Sequence, residues 1–587
     1  MSVLRKLILY GLTLSGCSAV ASAADGRPEV TVKNGTYTGV YSAFYQQDFF
    51  LGMPYALPPK RFTVAEGLRT SWTGSRDAVD YPLHCVGYGG DDVGYAVSED
   101  CLYLNVIRPT GVRETSSLPV AVWIHGGGLY MGGSADKRYN LSFIVDHSVK
   151  MGVPIIGVSL NYRLSAFGFL AGGEAAQSGA TNLGFRDQRL ALQWIRENIG
   201  AFGGSPEKVT VFGESSGAES VSAQVLAYNG RDDGLFRGAI AQSGFGGLLR
   251  RYPGGFNDTD LMQTTYEKLV RNTSCAPLVG TVRSLDCLRR APLAELNYAL
   301  NVSKIGPWPP VLDGDFFQDF PTNQLSNGKF RQVPVLIGSN TDEGTAFGNP
   351  TAVFGHPVNS DEDLRRGLQK RLVSKQTTAE INGLVDELLF LYPNIQSVGI
   401  PSLKTWPHVI QPNDSYAKTL GTQYRRNTAI YGDLTIHYMR RRASLAWFKH
   451  GLPSYAYRFD VTVNGLPPSI GASHFQEVAF VFLNFNGDGY AVNPFGGDNK
   501  VYTAKAKALA TTMATAWVNF FHHLDPNGVT GLALNDASAW PKYDTGAGGG
   551  VGQDVVWELE GGAIEIDDWR AAGLEWMMDH ALSVFGN

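Results

Sequence analysis

Short apolar runs that alternate with helical patterns mark the central part of the chain. Leu118 to Ile124, Pro154 to Leu160 and Val209 to Phe212 have the length and composition of fully buried strands. Asp187 to Ile199, between the second and third runs, has the apolar spacing of a helix. Strands that alternate with helices predict an α/β fold, with a mostly parallel central sheet flanked by helices.

Further elements extend this pattern in both directions. The alternation from Val30 to Val40 around Asn34-Gly35 predicts a hairpin. The intervals 245–330 and 350–450 are too long for simple crossovers, so we expect large helical insertions there, including one from Thr435 to His450. No repeat or linker divides the chain, and residues 24–587 are therefore predicted to form one domain. Additional strands are predicted at Gly238 to Gln242, Val333 to Ile337 and Tyr455 to Phe459.

The run at Val209 to Phe212 leads directly into Gly213-Glu214-Ser215-Ser216-Gly217, which is followed by a helical pattern. A strand that turns into a helix within Gly-x-Ser-x-Gly is typical of a nucleophile elbow, in which the serine hydroxyl stands above the sheet. A glycine- and serine-rich surface loop is the alternative interpretation. The strand before the motif and the helix after it favour the elbow, with Ser215 as the nucleophile.

Composition restricts the class of protein. The 587 residues are 44% hydrophobic and 18% charged, as in an ordinary globular protein with a large core. The formal net charge is −5 and no long basic run occurs, so nucleic-acid binding has no electrostatic support. No His or Cys cluster has the spacing of a zinc site, and no metal is predicted.

The N-terminus resembles an export signal. Arg5 and Lys6 precede an apolar run, and Ala21-Ser22-Ala23 offers small residues for cleavage, which predicts a signal peptide over residues 1–23 and secretion. In a second interpretation, Leu14-Ser15-Gly16-Cys17 is a lipoprotein signal that leaves Cys17 lipidated. No later apolar stretch has the length of a membrane helix. Plain secretion is favoured by that Ala-x-Ala site and by six Asn-x-Ser/Thr sequons, at Asn34, Asn140, Asn257, Asn272, Asn301 and Asn413.

Cleavage after Ala23 would leave four cysteines. Cys85 lies close in sequence to Cys101, and Cys275 to Cys287. In an oxidising compartment, this local pairing is the simplest of the three possible connectivities, with metal binding as the weaker alternative. Each disulfide would stabilise the fold by about 3 kcal/mol through the chain entropy of a short loop.

A second motif, His125-Gly126-Gly127-Gly128, follows the strand at Leu118 to Ile124. Backbone N–H groups stabilise the oxyanion of a tetrahedral intermediate when they can approach it closely, and glycines permit that approach. A position after a strand and upstream of the elbow is where an α/β-hydrolase has its oxyanion hole.

A serine nucleophile needs a base and an acid, which follow it along the chain of an α/β-hydrolase in the order acid, then histidine. Asp342 and Glu343 come just after the predicted strand at Val333 to Ile337, and either could be the acid. Several histidines follow them. His474 comes after the Tyr455 strand and a loop, and this position favours it as the base.

The chain resembles the type-B carboxylesterase/lipase family, which includes cholinesterases and fungal lipases, over nearly the whole mature length. The residues that carry the resemblance are Phe50-Leu51-Gly52-Met53-Pro54-Tyr55-Ala56, Glu99-Asp100-Cys101-Leu102, His125-Gly126-Gly127-Gly128, Asn161-Tyr162-Arg163, Ala191-Leu192-Gln193-Trp194-Ile195, Phe212-Gly213-Glu214-Ser215, Asp342-Glu343-Gly344 and His474.

The resemblance implies an α/β-hydrolase fold and an activity that needs no cofactor. It implies Ser215 as nucleophile, His474 as base and Glu343, rather than Asp342, as acid. It also implies an oxyanion hole from the N–H groups of Gly127, Gly128 and Ser216, disulfides Cys85–Cys101 and Cys275–Cys287, and an Arg163–Asp187 ion pair. Two positions depart from the family pattern: Leu129 replaces the usual aromatic residue and Ser216 the commoner alanine, which affects the shape of the pocket.

Three functions are compatible with these residues: an esterase for medium-sized or aryl esters, a triacylglycerol or sterol-ester lipase, and a non-catalytic adhesion or binding protein on the same fold. The intact set of three residues speaks against the last. The Cys85–Cys101 loop, which corresponds in the family to the lid, is short, glycine-rich and acidic. Such a loop disfavours an amphipathic lid helix and favours an esterase. The sequence does not predict the oligomeric state.

Overall fold

The computed structural model describes residues 26–245, 259–371, 377–529, 531–536, 539–546 and 549–586. The predicted signal peptide over residues 1–23, with Cys17, and the sequon at Asn257 lie outside these ranges. No helix within the described ranges is long and apolar enough to cross a membrane.

Sixteen strands occur in the described residues. They are β1 (Glu29–Val32), β2 (Gly35–Thr38), β3 (Val40–Ser42), β4 (Gln47–Pro54), β5 (Ser75–Asp77), β6 (His84–Cys85), β7 (Val97–Ser98), β8 (Tyr103–Pro109), β9 (Leu118–Ile124), β10 (Ile156–Leu160), β11 (Gly204–Glu214), β12 (Gly238–Gln242), β13 (Val335–Asn340), β14 (Ser454–Phe459), β15 (Gln553–Glu558) and β16 (Gly561–Ile566).

Eleven of these described strands form one sheet in the order β16-β15-β14-β13-β12-β11-β9-β10-β8-β4-β3. The strands from β15 to β10 in this order are all parallel to their neighbours. Antiparallel strands extend the sheet at both ends, with β16 on one side and β8, β4 and β3 on the other. The predicted α/β fold with a mostly parallel sheet is therefore confirmed.

The described helices cover both faces of the sheet and form the insertions. They are α1 (Leu141–Lys150), α2 (Ser165–Phe169), α3 (Gly173–Gln177), α4 (Leu183–Asn198), α5 (Ser216–Gly230), α6 (Thr259–Arg271), α7 (Arg283–Arg290), α8 (Leu293–Asn297), α9 (Pro321–Ser326), α10 (Gly344–Phe347), α11 (Pro350–Phe354), α12 (Asp361–Gln369), α13 (Thr378–Leu391), α14 (Ser415–Thr419), α15 (Tyr424–Gly432), α16 (Tyr438–Lys449), α17 (Val478–Val481), α18 (Lys500–His523) and α19 (Ala571–Asp579).

Strand β9 shows why the central strands are apolar throughout. Its residues Val120 and Val122 belong to the core that contains Ile195 of α4 and Val221 of α5. Trp123, which points to the opposite face, belongs to the core that contains residues of α1 and α18. Because successive side chains of a strand point to opposite faces, a strand covered on both faces is apolar at every position.

The expected insertions are present. Helices α6 to α9 lie between β12 and β13, and α10 to α16 lie between β13 and β14. Part of the second insertion packs with the C-terminal helix α19 in a separate apolar cluster, in which Leu388, Tyr438 and Met577 are buried.

Two differences from the sequence expectations concern the C-terminal half. Strand β13 is shifted toward its C-terminus relative to the predicted range and ends at Asn340. Strands β15 and β16 were not predicted. In β15, one of the four buried positions is Asp554, a residue type that ordinarily indicates an exposed position. The guanidinium of Arg440 lies 3.9 Å from that carboxyl group, and burial raises the pKa of Asp554 well above its ordinary value.

The covalent and ionic links implied by the family resemblance are also present. Disulfides join Cys85 to Cys101 and Cys275 to Cys287. The guanidinium of Arg163 donates two hydrogen bonds of 2.7 Å to the carboxylate of Asp187. Both side chains are buried, and a third guanidinium hydrogen bond goes to the carbonyl of Thr63.

We expect Asp187→Ala to destabilise the protein by about 3–5 kcal/mol, because it leaves the Arg163 guanidinium buried without its counter-charge. The measurement is the denaturant midpoint of unfolding. Glu197→Ala is the matched control, since Glu197 forms an exposed ion pair with Lys33 and should contribute at most about 1 kcal/mol. Equal shifts for the two variants would contradict this interpretation.

Candidate active site

Ser215 is the single residue between strand β11 and helix α5, as a nucleophile elbow requires. Its backbone has φ 57° and ψ −127°, a conformation that is strained for a residue with a side chain. The surrounding structure holds it there: the Ser215 amide donates a 2.9 Å hydrogen bond to the carbonyl of Gln242. A Cβ atom at Gly217 would lie 2.1 Å from the carbonyl oxygen of Ile124, so only glycine allows α5 to approach β9 this closely.

A continuous chain of hydrogen bonds joins Ser215, His474 and Glu343. The Ser215 Oγ lies 2.8 Å from His474 Nε2, and His474 Nδ1 lies 2.7 Å from Glu343 Oε2. An ionised carboxylate only accepts hydrogen bonds, so Nδ1 carries the proton and Nε2 is left to accept from the serine hydroxyl. The sequence-predicted serine, histidine and acid thus meet in one site, although they lie far apart in the chain.

The sheet positions Glu343 and His474. Glu343 follows directly on β13, and its Oε1 accepts a 2.9 Å hydrogen bond from the amide of Asn340. His474 lies in the loop after β14, and the ring of Phe347 packs edge-on against its imidazole at a centroid distance of 4.7 Å. Because β13 and β14 are parallel neighbours, the segments that follow them lie side by side.

Asp342, the other candidate acid, faces away from the imidazole. Its Oδ2 accepts a 2.8 Å hydrogen bond from the amide of Ala472, and its own amide donates one of 2.9 Å to the Ala472 carbonyl. Burial raises the pKa of Asp342 to about 7. Asp342 therefore fixes the loop that carries His474, whereas Glu343 contacts the ring.

The competing histidines have other partners. His437 is buried and its Nδ1 lies 2.9 Å from the hydroxyl of Ser339, while burial lowers its pKa well below the ordinary value. His450 Nε2 lies 3.2 Å from a carbonyl oxygen of α9. His408 pairs with Asp414 in an exposed loop.

The glycine-rich loop after β9 lies against the elbow. Gly127 and Gly128 have φ values of 102° and 64°, which favour glycine at both positions. Ser216 is the first residue of α5, and an amide at that position has no partner within the helix. The Ser216 hydroxyl accepts a 3.1 Å hydrogen bond from the amide of Leu129. The serine that departs from the family pattern thus joins the loop to the elbow.

Two buried carboxylates near the imidazole were missed by sequence reasoning. Glu214 Oε1 lies 3.2 Å from His474 Nε2. Glu477 accepts hydrogen bonds from the side-chain amides of Gln242 at 3.1 Å and Asn340 at 2.7 Å. The available signals were the place of Glu214 inside the serine motif and the position of Glu477 three residues after His474. Isolated acidic residues are ordinarily exposed.

These charges control the protonation of the base. Burial lowers the pKa of His474, but the carboxylates of Glu214 and Glu343 outweigh it and raise the pKa to about 9. Burial raises the pKa of Glu214 well above its ordinary value. The carboxylates of Glu214 and Glu343 both raise the His474 pKa above 6.5, and Glu343 is also hydrogen-bonded to the ring.

A cavity of about 390 Å³ opens beside the elbow. Its described lining includes residues of the glycine-rich loop after β9, helix α5 and the segment after α8, but none from the 350–450 insertion. The lining residues are Tyr88, Gly128, Leu129, Tyr130, Ser165, Glu219, Leu300, Lys304, Ile305, Gly306, Pro307, Trp308, Pro309 and Pro310.

The Cys85–Cys101 loop forms one edge of this cavity and contains no α-helix; its regular elements are a 3-10 turn at Gly90–Asp92 and the short strand β7. Its acidic residues are anchored to the body of the protein. Asp91 accepts a 2.6 Å hydrogen bond from Arg138, and Asp92 accepts one of 3.0 Å from the amide of Gly132. Glu99 forms a bidentate pair with Arg61. The loop is therefore attached at several points.

Among the described residues, no group of three or more His, Cys, Asp or Glu side chains is arranged to hold a metal ion.

Known proteins are similar to this chain in sequence and in fold. A sequence model described as the carboxylesterase family matches residues 26–550. "Secreted lipase 1" of Botryotinia fuckeliana is 34% identical over 463 residues, which cover 76% of this chain and 72% of that protein. "Secreted triacylglycerol lipase LIP1" of Gibberella zeae is 30% identical over 553 residues, which cover 88% and 84% respectively.

Among solved structures, Aspergillus niger EstA superposes with a TM-score of 0.78 at 25% identity, covering 96% of this chain and all of EstA. The predicted α/β-hydrolase fold is thereby confirmed. The chain belongs to the carboxylesterase family and is a carboxylic ester hydrolase.

Proposed function

We propose that this enzyme hydrolyses carboxylic esters through an acyl-enzyme on Ser215, with His474 as general base and acid and Glu343 as the orienting carboxylate. The observation that carries the proposal is the unbroken hydrogen-bond chain from Ser215 Oγ through the imidazole to Glu343. This arrangement supports the proposed roles, since the nucleophile contacts the base and the base contacts the acid.

In the first half-reaction, Ser215 Oγ attacks the ester carbonyl carbon while His474 Nε2 takes the hydroxyl proton. The carbonyl oxygen becomes an oxyanion, which the amides of Gly127, Gly128 and Ser216 stabilise. When the C–O bond to the alcohol breaks, the imidazolium donates its proton to the departing oxygen. Glu343 stabilises the imidazolium throughout.

In the second half-reaction, water replaces the alcohol. His474 removes a proton from the water as it attacks the acyl carbon, and the second tetrahedral intermediate uses the same three amides. Its collapse returns the proton to Ser215 Oγ and releases the carboxylic acid. No step requires a cofactor or metal.

We favour an esterase for soluble esters over a triacylglycerol or sterol-ester lipase. The Cys85–Cys101 loop has no amphipathic helix, and Asp91, Asp92 and Glu99 attach it to the protein. A lid that opens at an oil–water interface needs a wide apolar face and freedom to move. The printed names of the two fungal relatives favour the lipase as the second candidate. The non-catalytic alternative is disfavoured by the intact hydrogen-bond chain.

We also propose that the enzyme is secreted, as the predicted signal peptide and the names of these relatives indicate. Two disulfides suit an oxidising compartment.

The sequons differ in their access to a glycosylating enzyme. Asn34 is buried and donates a hydrogen bond to the carbonyl of Thr70, whereas Asn272, Asn301 and Asn413 are exposed.

We expect Ser215→Ala and His474→Ala to reduce kcat/KM for a soluble ester by about 10⁴-fold or more, with the fold retained, because the three residues act as a unit. Glu343→Gln should also reduce kcat/KM strongly, since it removes the carboxylate that fixes the imidazole tautomer. His523→Ala, at the exposed end of α18, is the matched control and should keep full activity. Near-wild-type turnover by His474→Ala would mean that another residue acts as the base.

We expect kcat/KM to fall as the pH drops through the His474 pKa, because a protonated imidazole cannot accept the serine proton. The midpoint should lie above 6.5, toward about 9. Glu343→Gln should move this midpoint to lower pH, since the variant lacks the charge that raises the pKa. Glu214→Gln should move it in the same direction, because the Glu214 carboxylate also raises the His474 pKa.

The measurement is kcat/KM against pH on a soluble ester, corrected for spontaneous hydrolysis. A wild-type profile that is flat from about pH 4 to pH 8 would be incompatible with a histidine base of ordinary or raised pKa.

We expect weak interfacial activation. The rate on tributyrin should rise smoothly as its concentration crosses the solubility limit, since the anchored disulfide loop has no apolar face to gain from opening. Hydrolysis of p-nitrophenyl acetate in the same dispersions serves as the control for enzyme lost to the interface. A steep rise at the solubility limit would favour the lipase instead.

A further inference from the structure

The loop that carries His474 is fixed on its N-terminal side by two buried side chains. Asp342 accepts a 2.8 Å hydrogen bond from the amide of Ala472. Asn340 donates a hydrogen bond of 2.7 Å to the carbonyl of Ser473. Both contacts act on residues that precede the imidazole. The residue that follows it is in contact with a different part of the chain.

Phe475, the residue after His474, has a strained backbone. Its φ of 76° lies in the left-handed region, which is uncommon for a residue with a bulky side chain. Such a conformation persists only where the surrounding structure enforces it. The guanidinium carbon of Arg138 lies 4.7 Å from the centroid of the Phe475 ring, which is within the range of a cation–π contact. Arg138 therefore contacts the residue that adjoins the imidazole in the chain.

The side chain of Arg138 is itself fixed by several contacts. Its Nε donates hydrogen bonds to both carboxylate oxygens of the buried Asp136, at 3.1 and 2.9 Å. Its Nη2 donates one of 2.6 Å to Asp91 in the Cys85–Cys101 loop. A Cβ atom at Gly489 would lie 2.8 Å from Arg138 Cγ, so the backbone there packs directly against the side chain. Charge-assisted hydrogen bonds from two directions hold the guanidinium in one position.

We propose that Arg138 is a positioning residue, which stacks on Phe475 and thereby holds His474 in the geometry needed for proton transfer. The inference rests on the proposed function, because it assumes that His474 is the base. A small misplacement of a reacting group lowers the rate of the chemical step strongly. The contact lies behind the imidazole and not in the cavity lining, so its loss should appear in kcat rather than in KM.

The test is a double-mutant cycle. Arg138→Met removes the guanidinium, Phe475→Leu removes the ring and leaves the ion pairs of Arg138 intact, and a third protein carries both substitutions. Arg76→Met is the matched control, since the Arg76 guanidinium lies 4.2 Å from the ring centroid of Trp72 on the exposed strand β5. The readouts are kcat and KM for p-nitrophenyl butanoate, taken from the plateau of full pH profiles so that a change in the His474 pKa does not contribute.

We expect Arg138→Met and Phe475→Leu each to lower kcat by about ten-fold, with KM within about three-fold of wild type. If both substitutions break the same contact, the double variant should also lose about ten-fold, whereas independent effects would multiply to about a hundred-fold. His474 acts in both half-reactions, so kcat reports the loss whichever step limits the rate. Arg76→Met should keep the wild-type kcat and KM.

Several outcomes would overturn the proposal. A loss confined to KM would mean that Arg138 acts on substrate binding through the disulfide loop. A loss in Arg138→Met with an unchanged kcat in Phe475→Leu would assign the effect to the charge of Arg138, and multiplied losses would show that the two residues act separately. If Arg138→Met does not fold, Phe475→Leu still decides, because a wild-type kcat in that variant excludes the contact. Failure of the proposed function is distinct, since His474→Ala would then retain activity.

Discussion

The close packing of helix α5 against strand β9 is the constraint on which the site depends. Gly217 lies so near the Ile124 carbonyl that no side chain fits between them. This contact fixes the start of the helix and holds Ser215 in its strained conformation. The hydroxyl of Ser216, the residue before Gly217, accepts a hydrogen bond from the amide of Leu129, so the glycine-rich loop after β9 is held against the same turn. The strain is sustained by the large core on both faces of the sheet.

The sheet also separates the roles of two adjacent acids. Asp342 and Glu343 leave the end of β13 in different directions, one to the backbone of the His474 loop and the other to its imidazole. One acid therefore positions the loop and the other positions the ring. Glu214 and Glu477 add further buried carboxylates around the imidazole, and burial raises the pKa of both. The pKa of His474 therefore depends on several buried acids and not on its direct partner alone.

Local motifs made much of the fold and the central residues predictable. The apolar runs of β9, β10 and β11 are explained by buried strands. The glycines around Ser215 are explained by a tight turn, so these elements could be predicted. The acid could not be chosen from the residues alone, because Asp342 and Glu343 differ only in the direction that the fold gives them. Strand β15 and the buried Glu477 were missed for a shared reason. An acidic side chain is predicted to be exposed when its neighbours in the fold are unknown, here Arg440 for Asp554 of β15 and Asn340 for Glu477.

Substrate preference is the property furthest from local sequence. The cavity beside Ser215 is assembled from the disulfide loop, the oxyanion loop, helix α5 and the segment around Trp308, which are distant along the chain. Its polar lining comes from several of these segments and includes Tyr88, Ser165, Glu219 and Lys304. Short motifs around Ser215 could be recognised in the sequence because each is local. The shape and polarity of the cavity, by contrast, depend on side chains that only the folded chain brings together.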